Sequence, residues 1–327
     1  MKKVRFAVIG TNFITDRILL NSRRCTGFEL KAVYSRTEER AREYAQKNGA
    51  ELTFTSLEEL AACREVDAVY IGSPNYCHAS QAITMLKGKK HVLCEKPICA
   101  NSRELEEMFQ AAGDNHVVLL EAMRPWYTPG FQYLKSILPQ IGPVRHAVLQ
   151  FCQYSSRYDN FKNGIVENAF KRELCNGALM DVGCYAVGVM TGLFGMPEKV
   201  AAMSRIIPGG IDAEGAFVAK YDELLAEVMY SKVSDGKNPC ELQGERANVL
   251  FSPTGSVEHI KILWRDGRTE ELEFPTPDFA MYCELQEFID MCRGKASPQE
   301  YNIASRQTMA VMDEIRRQSQ YLFPADQ

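Results

Sequence analysis

Val4-Arg5-Phe6-Ala7-Val8-Ile9-Gly10-Thr11-Asn12-Phe13-Ile14-Thr15 begins as a β-branched, apolar run, meets a glycine, and continues with helical spacing. A strand that ends in glycine and passes directly into a helix is the setting a dinucleotide-binding turn requires. The glycine allows a tight turn and a close backbone approach to a pyrophosphate. The N–H groups of the helix start then face negative charge. Of the pattern Gly-x-Gly-x-x-Gly/Ala only Gly10 is present; Asn12 stands at the second position and Thr15 at the third. Asparagine tolerates positive φ better than most residues, so the turn survives the exchange. Gly10, Thr11, Asn12, Phe13 and Ile14 are therefore candidate cofactor-binding residues.

Outward from this turn the alternation continues. Strands are expected at residues 29–34, 52–54, 67–72, 91–94 and 117–120, and helices at 13–24, 37–48, 57–63, 79–87 and 101–112. Asn101-Ser102-Arg103-Glu104 has the form of a capped helix start, with a carboxylate three residues after the cap. Strands alternating with helices mean parallel βαβ units and a doubly wound sheet. The pattern changes near Ala122. After helical spacing at 130–138, a long strand at 144–153 and a helix at 178–194, residues 200–273 read as strand after strand, broken by Pro208-Gly209-Gly210, Ser234-Asp235-Gly236, Ser252-Pro253-Thr254-Gly255 and Arg265-Asp266-Gly267. Two helices, at 282–292 and 303–318, close the chain. The expected class is α/β: a Rossmann domain at 1–121, then an α+β substrate and dimerisation domain at 122–327 with a large, mostly antiparallel open sheet.

At 327 residues, 46% apolar and 24% charged, the chain has material for two packed domains and little for disorder. A net charge of −4 offers no basic stripe for a nucleic acid. No uninterrupted run approaches 18 apolar residues, so no membrane partner is expected. Met1-Lys2-Lys3 leads directly into the first strand and does not resemble a signal peptide. The eleven cysteines contain no Cys-x-x-Cys pair and sit in apolar runs, as at Cys94 and Cys152. They read as reduced thiols of a cytoplasmic protein, with no metal site and no activated nucleophile at Cys25, Cys77 or Cys184.

Tyr34-Ser35-Arg36-Thr37 ends the second expected strand without a carboxylate before Glu38. An acidic residue there would hold the ribose hydroxyls of NAD, whereas hydroxyl and guanidinium groups suit the 2′-phosphate of NADP. Ser35 and Arg36 therefore favour NADP, with NAD possible.

Two further segments carry the chemistry. Gly72-Ser73-Pro74-Asn75-Tyr76-Cys77-His78 is followed, at its spacing, by Gly88-Lys89-Lys90-His91-Val92-Leu93-Cys94-Glu95-Lys96-Pro97. Together they resemble the glucose–fructose oxidoreductase/inositol dehydrogenase (Gfo/Idh/MocA) family, and the resemblance covers essentially the whole chain. Glu95-Lys96-Pro97 is its most specific element. Asn176-Gly177-Ala178-Leu179-Met180-Asp181-Val182-Gly183-Cys184-Tyr185 resembles the family's Asp-x-x-x-His helix, with Tyr185 in the histidine's place. That departure is shared with the dihydrodiol dehydrogenase and glucose–fructose oxidoreductase branches. Glu121-Ala122-Met123 and Arg124-Pro125-Trp126-Tyr127 look like the dimeric dihydrodiol dehydrogenase branch.

The resemblance implies an NAD(P)-dependent oxidoreductase that moves hydride to or from a small sugar, polyol or other carbonyl compound. It implies cofactor contacts at Ser73, Pro74, Asn75, His78, Glu95, Lys96 and Glu121, and a cis Lys96–Pro97 peptide. Lys96, Tyr185 and Asp181 are the expected catalytic residues. Tyr185 is the proton donor, Lys96 the cation that favours its phenolate, and Asp181 an orienting or hydroxyl-accepting group on the same helix face, four residues away. Trp126, Arg157 and Tyr158 are substrate-contact candidates beside Asp181 and Tyr185. A homodimer through the second domain's sheet is also expected. The alternative is a catalytically silent dinucleotide-binding regulator, which the incomplete glycine pattern favours and the intact Lys96, Asp181 and Tyr185 set opposes.

Overall fold

The computed structural model describes residues 3–275 and 277–326; the opening Met1-Lys2 pair, Thr276 and Gln327 lie outside it. The chain divides into two compact units. The first holds Met1–Ala122 and Met281–Ile303, the second Met123–Ala280 and Ala304–Gln327.

The first unit carries six strands: β1 (Val4–Ile9), β2 (Phe28–Tyr34), β3 (Leu52–Phe54), β4 (Ala68–Ile71), β5 (His91–Glu95) and β6 (Leu119–Ala122). They lie in the order β3-β2-β1-β4-β5-β6, every pair parallel. The order reverses between β1 and β4, which opens a crevice beyond their carboxyl ends, the usual ligand site of such sheets. Because helices cover both faces, β4 is buried at all four positions, as a parallel strand should be.

The connecting helices are α1 (Phe13–Ser22), α2 (Glu38–Asn48), α3 (Leu57–Ala62), α4 (His78–Lys87) and α5 (Ser102–Asn115). The starts of α1, α3 and α5 are capped by side chains. Ser56 Oγ accepts from Glu59 N at 3.2 Å, and Asn101 Oδ1 from Glu104 N at 3.0 Å. Glu104 reaches back to the N–H of Ala100 at 2.9 Å, so the box closes one residue earlier than the simple pattern. The return segment 281–303 packs on this unit. Phe6 stacks on Phe28 (ring centroids 4.6 Å) and meets Phe288 edge-on at 5.9 Å, while Thr26 N donates to Gln286 at 2.8 Å.

The second unit is built on an eight-stranded sheet. Helix α6 (Pro129–Ile141) leads into β7 (Val144–Cys152), the short α7 (Tyr158–Lys162), a π-helical turn (Leu179–Gly183) and α8 (Cys184–Phe194). Then come β8 (Lys199–Ile207), β9 (Ile211–Lys220), β10 (Leu225–Ser231), β11 (Cys240–Gly244), β12 (Ala247–Phe251), β13 (His259–Trp264) and β14 (Thr269–Glu273). Helices α9 (Pro277–Cys292) and α10 (Gln299–Gln318) come after the strands, with Met281–Ile303 belonging to the first unit. The strand order is β14-β13-β12-β11-β7-β10-β9-β8. Only the central β7–β10 pair is parallel; the other pairs are antiparallel. In β10 Ala226, Val228 and Tyr230 are buried, while Leu225, Glu227 and Met229 are exposed. That alternation puts one face under α8, which packs on β7 and β10.

By length and mean composition the stretch Arg172–Phe194 is apolar enough to cross a bilayer. Its apolar window is 78% buried inside the protein, which is the position of a core helix. The start of this helix is held by Asp212, itself 1% exposed, whose Oδ2 accepts from Leu179 N at 2.8 Å. The approach is so close that a Cβ on Gly177 would stand 1.6 Å from Asp212 Oδ1, and Gly177 has φ +144°.

Burial raises the Asp212 carboxyl to about 6, against the opposing pull of the Leu179 and Ala178 N–H groups, Lys232 and Arg316. An unfolded aspartate titrates near 3.9. The folded state therefore binds this proton more tightly. The stability it contributes is complete below about pH 4 and is lost as pH rises through about 6. Asp212→Asn should remove that component, roughly 3 kcal/mol at most. Calorimetric Tm values at pH 4.5 and 7 should show a smaller fall for the variant than for the parent; equal slopes would refute the assignment.

Candidate active site

In the first unit the turn after β1 is fixed by steric contact. Gly10 has φ +106°, and a Cβ there would lie 2.6 Å from the Gly72 carbonyl oxygen. Asn12 does not take the left-handed conformation that its place in the pattern suggests; its φ is −117°. It acts instead as the helix cap. Its Oδ1 accepts from Ile14 N (3.1 Å) and Thr15 N (3.2 Å), and its Nδ2 donates to Gly72 O at 2.7 Å. Thr15, at the third glycine's position, is tolerated because Gly72 faces it: a Cβ on Gly72 would stand 3.1 Å from Thr15 Oγ1. The close helix–strand packing is kept by a glycine on the other strand.

A cleft of 580 Å³ opens here, lined by Gly10, Thr11, Asn12, Ser35, Arg36, Ser73 and Pro74 among others. None of its lining residues is a carboxylate. Arg40, Tyr76, Cys77 and Gln81 also line it and were not anticipated from sequence. Arg40, in the first turn of α2, donates to Thr11 Oγ1 (3.1 Å) and Thr11 O (2.8 Å). Two guanidinium groups and the cap of α1 make a donor set for phosphate. Ile14 offers its backbone at the helix start, and Phe13 is 63% exposed there.

The loop after β5 is braced from several sides. The Lys96–Pro97 peptide is cis. Tyr70 Oη donates to the buried Glu95 at 2.6 Å, and Glu121 Oε1 accepts from Ile98 N at 3.1 Å. His78, 1% exposed, places Nδ1 2.9 Å from Pro97 O and Nε2 2.8 Å from Ser73 O, tying the loops after β4 and β5 together. Burial pushes its pKa down, against the two carbonyls. Asn75 opens the short turn between them. Along residues 92–100 every side chain is buried except Lys96, which is half-exposed. The bracing thus presents a single lysine.

In the second unit the π-helical turn changes the expected register between Asp181 and Tyr185, since it widens the helix between them. Gly183 makes the turn possible, as a Cβ there would press to 3.0 Å on Tyr230. Tyr185 is 8% exposed, edge-on to Phe151 at 5.5 Å. The Arg124 guanidinium lies 5.4 Å from its ring centroid, and Arg124 Nη2 donates to Gly255 O at 3.0 Å. Asp181 forms an ion pair at 2.9 Å with Lys232, a residue the sequence reading passed over. Trp126, 1% exposed, donates its indole N–H to Gly188 O at 2.8 Å and so supports α8. Arg157 pairs with Glu167 at 3.2 Å, and Tyr158 stacks against Phe161 and Phe170. Tyr158 thus belongs to an aromatic cluster with Tyr154, Phe161 and Phe170.

Residues 4–123 match the family described as "Oxidoreductase family, NAD-binding Rossmann fold", and residues 131–250 match the GFO/IDH/MocA C-terminal domain. The chain is 44% identical over 326 residues to a scyllo-inositol 2-dehydrogenase (NADP(+)) of Bacillus subtilis, covering 99% of each. It is 27% identical to the trans-1,2-dihydrobenzene-1,2-diol dehydrogenase of Homo sapiens, again over 99% of each. A 3-ketoreductase from Actinomadura kijaniata, solved with NADP and TDP-benzene, shares the fold with a TM-score of 0.86 at 20% identity, over 97% of this chain and 98% of that one. The β1–Gly10–α1 turn, the braced lysine after β5 and the helix carrying Asp181 and Tyr185 thus stand in a chain that belongs to the GFO/IDH/MocA oxidoreductase family.

Proposed function

We propose that the protein is an NADP-preferring dehydrogenase acting on a ring CH–OH group of a polyol, with inositols as the favoured substrate class. The observation that carries this reading is the 44% identity, over 99% of both chains, to an enzyme named for scyllo-inositol and NADP(+). The cofactor, when bound, accepts or supplies the hydride. The rest is the work of this chain. Gly10, Thr11, Asn12 and the start of α1 receive the pyrophosphate. Arg36 and Arg40, with Ser35, take the 2′-phosphate, and the absence of a carboxylate among the cleft's lining residues supports that choice. Lys96 offers its ammonium to the substrate oxygen. Tyr185 gives its proton to a carbonyl on reduction and takes it back on oxidation. The Arg124 cation over its ring stabilises the negative charge that develops on the phenol. Asp181 accepts a substrate hydroxyl. The silent-regulator reading loses its support, because Asn12 and Gly72 replace what the missing glycines would supply.

The free state of all eleven cysteines suits a cytoplasmic protein. The exposed face of the second unit's sheet is proposed as a homodimer contact. Met203, Ala216 and Met229 are paired across β8, β9 and β10, and Ala201, Val218, Glu227 and Val148 form the next row. Met203 is 81% exposed, and such a patch asks for a partner. Small-angle scattering at micromolar concentration should give a dimer for the parent and a monomer for Met203→Lys/Met229→Lys; a monomeric parent would sink the proposal.

The double variant Arg36→Ala/Arg40→Ala should weaken NADP+ binding by roughly 10- to 100-fold, with little change for NAD+. Fluorescence titration reads this, and an equal loss for both cofactors would remove the 2′-phosphate assignment. Tyr185→Phe should lower kcat with scyllo-inositol on the order of 10²–10⁴-fold while NADPH binding is kept. Near-normal turnover by that variant would move the proton to another group, and no turnover of scyllo-inositol by the parent with either cofactor would reject the substrate class.

A further inference from the structure

Lys232 follows directly on β10 and is 1% exposed. Its backbone is pinned on both sides: its N–H donates to Ala213 O at 2.9 Å, and its carbonyl accepts from Ser155 N at 2.8 Å. The ammonium has three directed partners. It donates to Ala169 O at 2.8 Å, pairs with Asp181 Oδ2 at 2.9 Å, and lies 4.7 Å from the centre of the Phe170 ring. Burying a lysine cation is costly unless it is paired and hydrogen-bonded, so this one is tightly committed to its carboxylate. Lys90, also buried, makes a useful contrast. Its ammonium donates to the carbonyls of Cys63 and Val66, an arrangement that serves only the local fold.

The Lys232–Asp181 pair is asymmetric. The side chain of Lys232 is 1% exposed and that of Asp181 is 39% exposed. One end of the bridge is fixed in the core and the other reaches solvent. Asp181 also sits in the π-helical turn, whose backbone is held by Asp212 at Leu179 and by the Asp181 N–H to Gly177 O at 3.0 Å. A half-exposed aspartate would otherwise sample several rotamers. Anchored through Oδ2, the carboxylate keeps one orientation, and its acceptor positions are set before substrate arrives.

We propose that Lys232 is a positioning residue for substrate selection: it orients Asp181 to accept a second hydroxyl of the substrate, so that ring polyols are chosen over alcohols with fewer hydroxyls. This rests on the polyol reading given above and adds to it the residue that sets hydroxyl selectivity. A site built to take a hydroxyl rejects analogues that lack it, because the acceptor is then left unpaired.

The test compares the full-length enzyme with Lys232→Met, Lys232→Arg and Asp181→Asn. NADPH formation is followed with scyllo-inositol and with cyclohexanol, which has no second hydroxyl. Lys232→Met should raise the KM for scyllo-inositol and cut the scyllo-inositol to cyclohexanol ratio of kcat/KM by about 10-fold or more, with NADP+ affinity kept. Lys232→Arg, which keeps the charge, should restore part of the ratio, and Asp181→Asn should reproduce the loss. A merely structural lysine would lower both substrates alike, so an unchanged ratio overturns the proposal. If Lys232→Met fails to fold, Asp181→Asn carries the selectivity test alone. If the parent oxidises neither compound, the polyol reading fails, and crystal structures of the parent and Lys232→Met decide the role of Lys232. Asp181 displaced from its rotamer in the variant supports it, and Asp181 unmoved overturns it.

Discussion

The approach of Gly10 to Gly72 is the contact on which the first unit depends. Their backbones run so close that a single methyl group on Gly10 would sit 2.6 Å from a carbonyl oxygen. This is the point where β1 and β4 lie side by side and the strand order reverses. The close pass leaves room for Asn12 to bridge from the cap of α1 to Gly72 and opens the crevice above it. From that crevice follow the position of Ser73, the clamp of His78 onto Ser73 and Pro97, and the exposure of Lys96 among buried neighbours. A residue with a side chain at position 10 would move the strands apart and disturb each of these in turn.

The second unit depends on a different constraint, the burial of charge. Asp212 and Lys232 lie in the core beside the start of one helix, and neither is tolerable there without partners. Asp212 is matched by the N–H groups of the helix start, and Lys232 by Asp181, the Ala169 carbonyl and an aromatic face. The same bonds that satisfy these charges hold the π-helical turn and fix the residues it displays. Trp126 supports α8 from its side, and Arg124 lies over the ring of Tyr185. The chemistry proposed for Asp181 and Tyr185 therefore draws on a packed, hydrogen-bonded base rather than on a mobile loop.

Local sequence determined a good deal. Apolar strands ending in glycine, alternating with amphipathic helices, specify a parallel doubly wound sheet, because the period of the hydrophobic pattern is set by backbone geometry. Turn residues between short apolar runs specify an antiparallel sheet in the same way. Gly10, Ser35 and Arg36 could be picked out because each sits at a fixed offset from a strand end, whereas Lys96, Asp181 and Tyr185 were picked out by the resemblance to a known family. Other features were decided only by tertiary structure. The conformation of Asn12 depends on Gly72, sixty residues away, which supplies the acceptor for its amide. The return of 281–303 to the first unit depends on Phe288 and Gln286 finding Phe6 and Thr26. The partnership of Lys232 with Asp181 joins residues far apart in the chain, and a buried lysine looks in sequence like any lysine at a strand end. Periodicity and offsets are properties of neighbouring residues and can be read along the chain. The partner of a buried charge is set by which strands and helices pack together.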